Sequence, residues 1–102
     1  MMKGWLLALR LGRKVGLPPA VALREWRLML ERISAPRLDE FGLSAGKVRM
    51  RFEELLGENP LAWDCIDIVP GDGPLAERRD RLRVRLFTQA VVEVARRTLA
   101  RA

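Results

Sequence analysis

The feature that most constrains this chain is its closing third. After the turn cluster "PGDGP" (70–74), residues 75–101 run without a glycine or proline. Glycine and proline are what most readily punctuate secondary structure. At 1.5 Å per residue this segment makes a single helix about 40 Å long. Counted at 100° per residue, Val84, Phe87, Val91 and Val94, with Leu86 and Ala90, cover nearly half its circumference. A helix that apolar needs neighbours on more than one side, so it is either the central helix of the fold or part of a subunit interface. Trp5, Trp26 and Trp63 are expected to pack around it, and an exposed tryptophan would mark a binding hot spot.

The remaining chain reads as shorter helices. Residues 2–15 form a first helix stopped at Gly16, with Pro18-Pro19 preventing continuation. Pro19 suits the first turn of a second helix, 19–33. Its apolar stripe is Ala22, Trp26, Met29, Leu30 and Ile33. A short helix, 36–41, ends at Gly42. Ser44 is a natural N-cap for a helix over 45–57, with Gly57 as its stop. The segment "LAWDCIDIV" (61–69) fits a strand, a helical turn or an extended connector. No other segment offers a partner strand. The expected fold is all-α, a compact bundle of four to five helices forming one domain over 1–102. "GLPPAVALREW" (16–26) and "GLSAGKVRMRF" (42–52) share a Gly-Leu start and the same apolar spacing, which helix corners reuse readily.

Of 102 residues, 49% are apolar and 31% charged, ordinary globular material. The net charge of +6 is segregated: residues 1–34 carry +5, residues 35–74 carry −4 and residues 75–102 carry +5. Such a pattern fits basic ends folded against an acidic middle, or an exposed basic surface for nucleic acid or an acidic partner. No apolar run approaches the roughly 20 residues of a membrane span. The basic start lacks a signal-peptide pattern, and the lone Cys65 fits a reducing compartment. A cytoplasmic protein without membrane contact is expected.

Little in the sequence favours catalysis. There is no histidine and no tyrosine, which removes the usual general base and the commonest metal ligand. One cysteine cannot make a cysteine-based metal centre. Neither GxGxxG nor GxxxxGK[ST] occurs. Asp64, Asp67 and Asp72 are better read as surface or cap residues than as a Mg²⁺ site, and Cys65, beside Trp63 and Ile66, as an inert buried thiol. No enzyme activity and no cofactor are expected.

The binding candidates are cations. Arg78, Arg81, Arg85 and Arg96 fall within roughly 60° of one another opposite the apolar arc of the last helix. Their planar forks suit phosphate or carboxylate. Arg10, Arg13 and Lys14 extend the set from the first helix. Residues 37–56, "RLDEFGLSAGKVRMRFEELL", resemble the helix-turn-helix motif of DNA-binding regulators through Leu38, Gly42, Leu43 and Val48. That resemblance implies a recognition helix carrying Lys47, Arg49 and Arg51. Its outward face, however, shows Gly46, Met50, Glu53 and Glu54, and carboxylates sit badly beside phosphate. The corner therefore reads as a packing device whose flanking cations could touch phosphates only.

The expected function is a small basic accessory protein that binds nucleic acid mainly through phosphates. The alternative is an interaction or assembly subunit, possible as a homo-oligomer or within a larger complex, docking through the apolar last helix. "ERRDRLRVRLFTQAVVEVARR" looks loosely like the terminal helix of phage tail assembly chaperones, which implies an assembly role.

Overall fold

The computed structural model describes residues 3–59 and 74–101, with only the helical backbone described for 74–79. Five helices account for nearly all of these residues, and among the described residues there is no strand. They are α1 (Gly4–Val15), α2 (Pro19–Arg32), α3 (Ala35–Glu40), α4 (Ala45–Glu58) and α5 (Pro74–Ala100). The fold is the all-α bundle with a long C-terminal helix that the apolar periodicity predicts. "LAWDCIDIV", with Trp63, Asp64, Cys65 and Asp67, lies outside the described residues, as does Asp72.

The first three helices end in the same way. Gly16 (φ 82°), Ile33 (φ 49°) and Gly42 (φ 70°) take the left-handed conformation. In each case the following N–H reaches back five residues: Leu17 to the Gly12 carbonyl (2.7 Å), Ser34 to that of Met29 (3.2 Å) and Leu43 to that of Leu38 (3.0 Å). This Schellman closure satisfies carbonyls the helix would otherwise leave open. The echo between 16–26 and 42–52 thus has a structural counterpart: each Gly-Leu turn is followed two residues later by a helix whose first core residue, Ala22 or Val48, is fully buried. Ser44 caps α4, its Oγ accepting the Lys47 N–H at 3.3 Å. Gly57 does not stop α4, which continues to Glu58. Asn59 closes it instead, its Nδ2 donating to the Leu55 carbonyl at 2.7 Å.

One core joins all five helices. α1 contributes Leu7, Ala8 and Leu11; α2 contributes Ala22, Trp26 and Met29. Leu38, Phe41 and Leu43 fill in from α3 and its corner, and Val48, Leu55 and Leu56 from α4. α5 presents Leu86, Phe87, Ala90, Val91, Val94 and Ala95. It packs along α4 most extensively and also touches α1 and α2, so within 86–95 its wide apolar arc is covered by the chain's own helices. Trp26 meets Phe41 edge-on with centroids 5.4 Å apart, and Phe52 meets Phe87 at 5.5 Å. Trp5 departs from the expectation of core packing, being 52% exposed. Among the described residues no helix is long and apolar enough to cross a membrane.

Candidate nucleic-acid interface

α4 and α5 run antiparallel. Phe52 faces Phe87, Arg51 faces Glu93, and residues from the start of α4 and the end of α5 line a cleft of about 290 Å³. Lys47, Met50, Arg51 and Glu54 line it from α4, and Arg97 and Arg101 from the end of α5 and the residue beyond. Val94 and Thr98 form its floor, and the Thr98 hydroxyl donates to the Val94 carbonyl at 2.8 Å. The helical register continues past α5, with the Arg101 N–H on the Arg97 carbonyl at 3.3 Å. Arg97 and Arg101 therefore stand one turn apart on the same side of the helix.

The four cations are not equivalent. Arg51 is pinned. Its Nε donates to Glu93 Oε2 at 2.8 Å and Nη2 to Oε1 at 3.5 Å, a fork across the helix pair. Its Nη1 donates to Glu54 Oε2 at 3.0 Å, and Glu58 lies within 3.9 Å. These contacts raise the Arg51 pKa above its ordinary value, first through the hydrogen bond to Glu93 and next through that to Glu54. Lys47, Arg97 and Arg101 are exposed and have no acidic partner among the described residues. The Glu54 carboxylate, which looked hostile to phosphate in the sequence, is occupied by Arg51.

The other candidates are distributed elsewhere. Arg81 and Arg85 are exposed, Arg96 is half-buried and engaged in an interaction of its own, and the Arg78 side chain lies outside the described residues. Arg10, Arg13 and Lys14 are exposed along α1, and Arg49 on α4. By helical count Arg81 and Arg85 lie roughly 120–160° around α5 from Arg97 and Arg101, so stripe and cleft are different surfaces. Of the expected residues the cleft gathers Lys47 and Arg51, and it adds Arg97 and Arg101, which no reading of α5 alone selects. Both lie toward its apolar side and become a site only because α4 begins opposite them.

Comparison with protein families, with curated proteins and with solved structures finds no match. The functional reading therefore rests on the chemistry of these surfaces.

Proposed function

We propose that this protein binds nucleic acid, chiefly through its phosphates. The observation that carries the reading is the convergence of Lys47, Arg97 and Arg101, none paired with an acid among the described residues, on one cleft beside the pinned Arg51. Guanidinium forks and an ammonium are strong phosphate donors. The helix-turn-helix reading receives less support: the outward residues Met50, Glu53 and Glu54 offer little to base edges. Phosphate contact without base reading suits an accessory role better than sequence-specific regulation. The test is fluorescence anisotropy with mixed-sequence single strands and duplexes of DNA and RNA. Binding at about 50 mM salt that weakens by about 200 mM is expected. Absence of binding at low salt would overturn the reading.

Trp5 favours a second reading, a docking role in an assembly. A half-exposed tryptophan is the residue type most enriched among interface hot spots. Light scattering over a range of concentrations, with Trp5→Ala alongside, tests self-association through that surface. A concentration-independent monomer mass would leave Trp5 without a role in self-association.

A further inference from the structure

Resting on the nucleic-acid reading, we infer that the α4–α5 cleft seats a terminal phosphate monoester, so that the protein grips a chain end of a single strand rather than a continuous duplex backbone. Three observations carry this. The first is charge. Arg51 is more than offset by the carboxylates around it, Glu54, Glu93 and Glu58, which leaves Lys47, Arg97 and Arg101 as the cations of the cleft with no acidic partner among the described residues. Three such donors match a monoester, with its three acceptor oxygens and about −1.5 to −2 charge at neutral pH, better than a diester with its single charge.

The second is geometry. Arg97 and Arg101 approach from one helix and Lys47 from the other, so a compact anion can be held from two sides. An internal phosphate must continue its chain in both directions and suits an open track. A cleft of about 290 Å³ lies at the small end of ligand pockets, room for one nucleotide unit. The third is Met50. It is 60% exposed, the most exposed of the large apolar side chains described, and it lines this cleft. Phe41 and Phe87 are buried and Phe52 is partly buried against the core, so these rings offer no stacking platform. The polarisable Met50 thioether gives a terminal base or sugar an apolar wall instead.

Twelve-residue strands labelled at one end separate the possibilities. The unlabelled end carries a 5′-phosphate, a 3′-phosphate or a hydroxyl, and a blunt duplex with hydroxyl ends serves as comparison. One phosphorylated strand is expected to bind at least about tenfold more tightly than its hydroxyl counterpart, a gap of about 1.4 kcal/mol. Inorganic phosphate is expected to compete. Arg97→Glu and the milder Arg101→Gln should each abolish the preference, while Arg81→Glu should leave it intact. All three positions are exposed, and circular dichroism checks that each variant folds. Equal binding of phosphorylated and hydroxyl ends would overturn the end-binding inference while leaving the nucleic-acid reading standing. No binding of any strand at low salt would remove both.

Discussion

Gly12 of α1 and Ala22 of α2 meet so closely that a β-carbon added at position 12 would lie 2.7 Å from that of Ala22. This contact sets the spacing of the first helical hairpin and seats Leu11 and Ala22 in the core. In an unhindered helix interior Gly→Ala stabilises by about 1 kcal/mol. Here the overpacking penalty of about 1–3 kcal/mol opposes it. Gly12→Ala is expected to lower the melting temperature by several degrees. Gly57, also helical and with nothing within 4 Å of its added β-carbon, is the control: Gly57→Ala should leave the melting temperature unchanged or raise it. Thermal melts of the two variants check the pair, and a rise for both would mean that α1 and α2 separate freely.

Ile33 occupies the position that Gly16 and Gly42 hold at the other two Schellman corners. A left-handed conformation costs an ordinary L-residue roughly 1–2 kcal/mol, and a β-branched residue is rarely found there. The side chain offsets this by packing, half-buried, against the core. Ile33→Ala loses the packing and keeps the strain, whereas Ile33→Gly loses the packing and releases the strain. The glycine variant is expected to be the more stable of the two by about 1 kcal/mol in urea unfolding. The reverse order would show that the backbone here is not held left-handed.

Local chemistry made the helices legible in the sequence. The cap at Ser44, the stops at Gly16 and Gly42 and the 3.6-residue stripes of α2 and α5 are short-range signals, and they place α2–α5 to within about two residues at each end. What short range cannot supply is the identity of a neighbour. Ile33 as a corner residue goes against its own conformational preference and makes sense only through its tertiary contacts. Gly57 looks like a terminator, yet α4 continues until the Asn59 side chain takes a carbonyl. Hydrophobicity alone places Trp5 inside, whereas it is exposed. The cleft was hidden for the same reason: a helical wheel ranks Arg97 and Arg101 by distance from their own apolar arc, whereas their role depends on where α4 starts. Lys47 and Arg51 were visible as cations, but not the difference between them, which the acids on Arg51 create.

The Arg51–Glu93 fork links fold and site, and the two respond oppositely to its loss. Glu93→Gln weakens the cross-link between α4 and α5 and is expected to lower the melting temperature by a few degrees. The same change releases Arg51 toward the cleft and adds a positive charge there, so phosphate competition should improve several-fold. Arg51 stays charged in folded and unfolded chains alike, since its raised pKa lies beyond the range of ordinary experiments. Its contribution therefore does not fade through the mildly alkaline range. Isothermal titration with inorganic phosphate, paired with a thermal melt, checks both signs. A loss of stability together with weaker phosphate binding would show that Arg51 must be held by Glu93 to serve the cleft.

Salt dependence decides which cationic surface meets the nucleic acid. Each phosphate neutralised on a single strand contributes about −0.7 to the slope of log K against log salt. Lys47, Arg97 and Arg101 closing on one terminal phosphate predict a shallow slope of about −0.7. If Arg81 and Arg85 each held a further phosphate, the slope would approach about −2. Those two lie on another side of α5, and a strand held by its end in the cleft need not cross the helix to reach them. Arg81→Glu with Arg85→Glu is therefore expected to leave both affinity and slope unchanged, whereas Lys47→Gln should weaken binding at every salt concentration. Anisotropy titrations at four or five salt concentrations give the answer. A steep slope abolished by the Arg81 and Arg85 changes, and untouched at Lys47, would move the interface to the outer stripe of the helix.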